Sequence, residues 1–521
     1  MSRDKVCVQA VTNTTQYHVD SKARGLSYAR GGWLAVFLLA LALYLFTLAP
    51  DLTWQDQGDY QYQAAKCNLS RQGDAVRVHP LYIVASHLVG KLGLWNYARA
   101  ASIVNAVFSA IAVANVYLIV VVLCGKWWPA VLSAGTFVLS HTAWFIGTQA
   151  QTYGMANAAI SGGLLLVLIH IRTGRRGALL LTGLVFGLGM SVHIMTQMGF
   201  AVVMAWLSGK CICRKVSVWT IAAIALCWIA GAVLFWVVVA IEYRHSGSVA
   251  DTISSAIWGR WGSAVFNIGR LGVLLKTGCM FFVLNFPTPL VFLAIPGVWL
   301  SFRQVEGHCA AGLLLACVVV YGAFAARYDI PNQNHFFLPM YMFVSVYIGL
   351  GYAFLAKRRP VVWQAVAALL LIAIPPTYVG LCTYARANRM ALGTNRHIPY
   401  RDAYAYYLLP WQCGQTGPRR LVREVFEKVP KDSVLLCDST IIPVFRYAHE
   451  VELQRPDVSV FRFHEVNDVW REMMDKGRSI FVFSDVEGYY PRWVEDKNWL
   501  RAYSISGSER VFEIVAPASR I

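Results

Sequence analysis

Apolar runs near the length of a membrane-crossing helix, about 20 residues for a hydrocarbon core of about 30 Å, recur along this chain from Gly32 to about Cys382. Short polar stretches separate them. The pattern predicts crossings over Trp33–Ala49, Ala100–Cys124, Ala130–Ile146, Met155–Ile171, Ala178–Val192, Met195–Leu207 and Val216–Ile241, then Leu290–Phe302, Ala310–Ala326, Phe336–Ala356 and Val361–Cys382. That makes about eleven crossings, several of them short or marked by Pro. An odd number puts the two termini on opposite sides of the membrane.

After Tyr384 the apolar runs stop. The segment that follows reads as helix, turn, strand, helix, strand. Leu421–Glu427 has helical spacing, and Val434–Leu436 and Val458–Phe461 are short runs bounded by Pro-Lys-Asp and Arg-Pro-Asp turn signals. Arg478–Asp485 looks like a third buried strand. These elements predict an α/β domain of roughly 120 residues outside the membrane. The expected fold class is a polytopic α-helical membrane protein with a small C-terminal α/β extracytoplasmic domain. Its expected divisions are an N-terminal segment 1–32, a transmembrane domain 33–383 with a long first loop 50–98, and the tail domain 384–521.

Charge sets the expected orientation, because short loops rich in Lys and Arg stay in the cytoplasm. Arg3, Lys5, Lys22, Arg24 and Arg30 precede the first crossing; Lys126, Arg172 with Arg175 and Arg176, Lys210 with Arg214 and Lys215, Arg303, and Lys357 with Arg358 and Arg359 sit in later turns. All of them fall on one side of this topology. The N-terminus is therefore expected inside and the first loop outside.

Composition agrees: 57% hydrophobic residues, 14% charged and a mean hydropathy of +0.48 exclude an ordinary soluble domain. The net charge of +18 raises nucleic acid as a partner. Dispersed cytoplasmic clusters account for much of it, and no basic stripe interleaved with aromatics appears, so no nucleic-acid partner is expected. About thirty polar residues precede the first run without a small-residue cleavage site after it, which reads as a retained anchor. Most cysteines sit in apolar runs; Cys67, Cys413 and Cys437 are expected outside, where one disulfide is compatible with the pattern but no pairing is assignable.

Polar residues gathered at span ends on one face line a cavity or site, and several such stretches fall on the outer side. The first loop carries Asp51, Asp56, Asp59, Lys66, Arg71, Asp74, Arg77 and His79, interleaved with Trp54, Tyr60, Tyr62 and Tyr82, a mixture that suggests short helices on the membrane surface. Helix N-capping explains Asp56 and Asp59 equally well. His141, Gln149, Gln151, Tyr153 and Asn157 crowd a second span end, and His193 lies between two apolar helices, where packing is the more common role of a lone histidine. The stretch Glu242–Arg270 is amphipathic, and its Arg244, Arg260 and Arg270 suit either a phosphate or lipid headgroups. Finally Arg327, Asp329, Asn332, Asn334 and His335 form a polar knot between two crossings.

Taken in order, these stretches resemble the GT-C membrane glycosyltransferases. More narrowly they are similar to the bacterial membrane family related to the vertebrate transmembrane protein O-mannosyltransferase. The matching blocks are DQGD at Asp56–Asp59, HPLY at His79–Tyr82, SHTAWFIGTQAQTYGMAN at Ser140–Asn157, Gly183 through His193, YDIPNQNHFFLP at Tyr328–Pro339, and Arg455-Pro456-Asp457-Val458. The resemblance covers nearly the whole chain through short, degenerate motifs. The sequence departs from the family at Gln151 and Asn332, where acids are expected, and at Asp59, where the family has Glu.

The resemblance implies transfer of a sugar from a polyprenyl-phosphate donor to a protein or glycan acceptor on the outer face. Such chemistry needs a carboxylate base within reach of the acceptor, and Asp56 is the first choice and Asp59 the second. The leaving phosphate needs cationic or hydrogen-bonding groups: Arg260, Arg270, Arg327, His79 and His335 are the candidates, with Gln151, Tyr153, His193 and Asn332 as further substrate-binding residues. No cofactor is required by the pattern. Two aspartates also suit a divalent cation, although metal independence is the favoured reading. Two other classes remain: a transporter or flippase, which should show internal repeats and mid-span charges that are not seen, and a non-catalytic acceptor-binding relative, which would not need the carboxylates.

Overall fold

The computed structural model describes residues 29–265, 269–304, 308–357, 359–393, 396–463, 473–474 and 476–515. Arg3, Lys5, Lys22, Arg24 and Arg358, used above for orientation, lie outside the described residues, as does most of segment 1–32. Six helices are individually long and apolar enough to cross a membrane: Ala29–Phe46, Tyr97–Cys124, Tyr153–Thr173, His308–Arg327, Leu338–Leu355 and Pro360–Ala387. Three bent pairs raise the number to as many as nine among the described residues. The chain is an integral multi-pass membrane protein.

The difference from about eleven predicted crossings has a physical cause. Arg176–Met190 and Thr196–Ile212 are apolar, but their 15 and 17 residues fall short of a hydrocarbon core at about 1.5 Å of rise per residue. Apolar pattern also carries no information about direction. The predicted span Ala130–Ile146 is two helices, Trp127–Val138 and His141–Gly147, meeting at 70°. The helix Leu271–Asn285, not predicted, pairs with Pro289–Arg303 at 105°; Pro287 and Pro289 lack the N–H groups that would continue a helix.

Burial ranks the crossings. Of the most apolar window of Leu338–Leu355, 83% is buried, against 22% for Pro360–Ala387 and 17% for Ala29–Phe46, so the first is central and the other two are peripheral. Small residues permit the close central contacts: a Cβ on Gly349 would meet the Pro129 carbonyl oxygen at 2.5 Å.

The tail forms a five-stranded sheet from β1 (Val434–Cys437), β2 (Ser459–Arg462), β3 (Ile480–Val482), β4 (Leu500–Ser506) and β5 (Glu509–Ile514), in the order β2-β1-β3-β5-β4. β1 pairs parallel with β2 and β3, while β5 runs antiparallel to β3 and β4. Strands β1 to β3 and the helix Gly417–Lys428 lie where the sequence predicts them. The β4–β5 hairpin was not predicted; its alternating strands carry exposed charges, which weaken the apolar signal. No disulfide joins Cys67, Cys413 or Cys437 to another of the described residues.

The first loop folds into helices Gln55–Lys66 and Pro80–Lys91, joined through a turn at Ala75–Arg77. Pro80 occupies the first helical turn, where its missing N–H costs nothing. The loop is clamped to the tail: Asp51 accepts from Arg419 Nη2 at 3.1 Å and from Asn96 at 3.0 Å, and the Tyr62 hydroxyl donates to Glu450 at 2.6 Å. Asp51 is thus an interface residue.

Candidate active site

Helix Gln55–Lys66 carries both predicted carboxylates. Gly58 lets its first turn sit on the chain that enters it, because a Cβ there would meet the Thr53 carbonyl oxygen at 2.3 Å. Neither Asp56 nor Asp59 serves as the N-cap, a position held by Trp54 with no side-chain cap bond. The capping explanation is therefore removed. The preceding Gln55 N–H donates to the Thr440 carbonyl at 3.0 Å, tying the helix start to the segment after β1.

Asp56 opens onto a cavity of about 570 Å³ with two unlike ends. The polar end has Asp56, Arg77, Tyr60, His79 and Asn332; the other is apolar, formed by Met195, Met198, Ile257, Trp258, Trp261 and Phe324 among others. Arg77 Nη2 donates to Asp56 at 3.2 Å, and the Asn332 amide donates to the other carboxylate oxygen at 3.0 Å. Burial raises the Asp56 carboxyl above the usual aspartate range, with the Arg77 guanidinium opposing. A carboxylate so placed is a stronger proton acceptor than one in water.

One wall is a stack of rings. His79 lies over His193 at 5.0 Å, and His193 meets Tyr153 at 5.2 Å. The His79 Nδ1 donates to the Val192 carbonyl at 2.7 Å, so its Nε2 accepts from the Tyr60 hydroxyl at 3.2 Å. Burial, reinforced by His193, holds the His79 pKa well below the usual imidazole range. His193 accepts from the Met195 N–H on Nδ1 at 3.1 Å, and burial lowers its pKa to about 4. Both rings are neutral near pH 7.

Asp59, one turn further along the helix, faces elsewhere. Its carboxylate pairs with Arg71, and both line a second cavity of about 210 Å³. Arg260 reaches this second cavity, and Arg77 lines both. Gly259, at φ +52°, brings the Arg260 segment against Asp74, whose Oδ1 would lie 2.3 Å from a Cβ at that glycine.

Of the eleven predicted site residues, Asp56, His79, Tyr153, His193 and Asn332 meet at the first cavity, and Asp59 and Arg260 at the second. The others do not line either. Gln151 is buried, its amide atoms without a protein partner; His335 is buried against Tyr153 and Phe145, with burial lowering its pKa to about 3; Arg270 pairs with Asp329 at 3.1 Å on the surface. Arg327 lies at the end of helix His308–Arg327, away from both linings. Arg77 and Tyr60 were not predicted as site residues. Their signal was present in the sequence: Arg77 stands two residues before His79-Pro80, and Tyr60 directly follows Asp59. Among the described residues, no three His, Cys, Asp or Glu side chains converge as a metal site.

No protein-family model matches the chain, and no curated protein matches its sequence. Solved structures do. ArnT from Cupriavidus metallidurans bound to undecaprenyl phosphate aligns over 93% of this chain and 99% of its own, at 12% identity and a TM-score of 0.57. The chain has the GT-C fold. ArnT from the same organism in the apo state aligns over 94% of this chain and 100% of its own, at 14% identity and the same TM-score of 0.57. The GT-C fold thus takes in both the membrane helices and the tail sheet, consistent with a resemblance that runs along nearly the whole sequence.

Proposed function

We propose that the protein is a membrane glycosyltransferase that moves a sugar from a polyprenyl-phosphate donor to an acceptor on the extracytoplasmic face, with Asp56 as general base. The observation that carries this reading is the two-ended cavity: a carboxylate with a raised pKa and a guanidinium at one end, aromatic and aliphatic side chains at the other. A lipid-linked sugar has the same two halves. The ArnT structure bound to undecaprenyl phosphate supports a lipid-phosphate ligand in this fold.

In this reading the acceptor hydroxyl or amide attacks the anomeric carbon and passes its proton to Asp56 as the bond forms. The bond from that carbon to the phosphate oxygen breaks, and the leaving phosphate gains negative charge beside Arg77. Asn332 holds Asp56 through a neutral N–H donor. An acid in its place would set two like charges side by side and raise the proton affinity further. His79, with both nitrogens engaged, fixes the Tyr60 hydroxyl and the Val192 backbone and is a positioning residue. The proposed topology keeps 1–32 inside, 33–383 in the membrane and 384–521 outside.

The test is incubation of purified protein with labelled polyprenyl-phosphate sugars and candidate acceptors, comparing wild type with Asp56→Asn and Asp59→Asn. Transfer by Asp56→Asn at the wild-type rate overturns the base assignment. Failure of wild type to bind any such lipid overturns the glycosyltransferase reading.

A further inference from the structure

Among the described residues, the tail domain reaches the first cavity at Ser439, just beyond the end of β1. Ser439 is exposed there between two buried neighbours, Asp438 and Thr440. The three residues enter a turn that the Asp438 side chain closes. Its Oδ1 accepts from the Thr440 N–H at 2.7 Å, while the Asp438 carbonyl accepts from the N–H groups of Ile441 at 3.1 Å and Ile442 at 2.9 Å. Aspartate favours such turns because its short side chain reaches the backbone two residues on.

The same turn holds the first loop. The Thr440 carbonyl accepts from the N–H of Gln55, the residue before Asp56, at 3.0 Å. The turn leads into the short helix Ile442–Arg446, and a Cβ on Gly58 would meet Pro443 of that helix at 3.1 Å, so the helix carrying Asp56 rests directly on it. An ion pair fixes the turn from a third direction, the chain after the last crossing. Arg396 donates to Asp438 through both ends of its fork, Nη1 to Oδ2 at 2.6 Å and Nη2 to Oδ1 at 2.8 Å. The ring of Tyr489, in the segment after β3, covers the guanidinium face at 3.9 Å. The side chains of Arg396 and Asp438 are 1% and 5% exposed. Taking two charges out of water costs about as much as their attraction returns, so a pair so placed adds little net stability; its two parallel bonds add direction.

We propose that the Arg396–Asp438 pair is a positioning device for the active site: it sets the turn through which the tail domain presents Ser439 to the first cavity and fixes the start of the helix that carries Asp56. Neither side chain lines the cavity, so both act through Ser439, Thr440 and Gln55. The inference rests on the glycosyltransferase reading for the reaction it serves, while the mechanical link stands without it. A general base must lie within hydrogen-bond reach of the acceptor proton, and a misplacement of about 1 Å is enough to cost about 10²-fold in rate.

The test compares two double variants of the full chain in lipid nanodiscs, neither of which buries a lone charge. Arg396→Met with Asp438→Leu removes the pair and the bond to the Thr440 N–H, whereas Arg396→Met with Asp438→Asn keeps an oxygen for that bond. Both should unfold near the wild-type temperature, as buried pairs replaced by uncharged side chains commonly do. The Leu variant should lower kcat for transfer of labelled sugar about 10²-fold with the donor KM little changed, and the Asn variant should recover about tenfold of that loss. Amide hydrogen exchange at Gln55 and Thr440 should speed up in the Leu variant and stay near wild type in the Asn variant, with β1 unchanged in both. Wild-type kcat in the Leu variant, or equal losses in the two variants, overturns the proposal. So does failure of both to fold, or faster exchange throughout β1, because the pair then serves stability alone. Should wild type transfer no sugar while exchange at Gln55 and Thr440 still separates the two variants, the proposed function fails and the positioning link stands.

Discussion

Asp56 and Asp59 lie three residues apart on one helix and meet opposite surroundings. Asp56 looks into a large cavity that is mostly apolar, beside one arginine and one amide. Asp59 pairs with Arg71 in a small cavity crowded with guanidinium groups. At about 100° per residue the two side chains diverge by roughly 60° around the helix axis, enough to place them in different spaces. Burial raises the proton affinity of the Asp56 carboxylate, while Asp59 meets Arg71 as an ion pair. The same residue type is thereby fitted for proton transfer in one place and for charge balance in the other.

The strongest way to break this comparison is to exchange the roles. Asp56→Asn should lower kcat by about 10²- to 10⁴-fold, the range for loss of a general base, whereas Asp59→Asn, which changes no residue lining the first cavity, should lower it far less. Equal losses of kcat in a labelled-sugar assay would show that the two carboxylates act as a unit. Arg77→Gln should follow in size, at about 10²- to 10³-fold in kcat, because it removes a donor from the leaving phosphate; single-turnover measurements check this.

The pH profile sharpens the same contrast. Asp56 works ionised, and its pKa is raised, so kcat/KM should rise with pH through a limb above the usual aspartate range and flatten beyond it. Arg77 favours the ionised form, so Arg77→Gln should move that limb to higher pH, and Asn332→Asp, which adds a like charge, should move it the same way. A limb that stays in place in both variants would detach it from Asp56. The smallest effect is expected away from both cavities. Asp51 and Arg419 are partly exposed, with side chains 24% and 30% accessible. Asp51→Ala should therefore cost about 1 kcal/mol or less, read as a small fall in thermal unfolding temperature with kcat unchanged.

Legibility in the sequence followed the range of the interactions. The acidic motif DQGD, the HPLY block and His193 are local features, and of the residues they flagged Asp56, His79 and His193 line the first cavity and Asp59 the second. Gln151 was flagged by the same reasoning, yet it is buried away from both cavities. Span ends do not reveal which way a side chain turns. Arg77 was visible only as one more charge in a long loop, because its value comes from sitting between Asp56 and Asp74. Arg446 and Arg462 had no signal, since the first-loop residues with which they line a cavity lie hundreds of residues away.

By itself the sequence determined that this chain crosses a membrane many times, that an α/β unit follows, and that carboxylates stand after the first crossing. Periodicity and composition are local properties, and a hydrocarbon core or a sheet reads them residue by residue. Tertiary structure alone decided where the apolar runs bend, which aspartate meets an apolar wall, and which arginines share a cavity. Those outcomes depend on contacts between distant segments, such as Asn332 with Asp56 and Arg462 near Arg71, and a carboxylate's proton affinity is set by such neighbours rather than by its place in the chain.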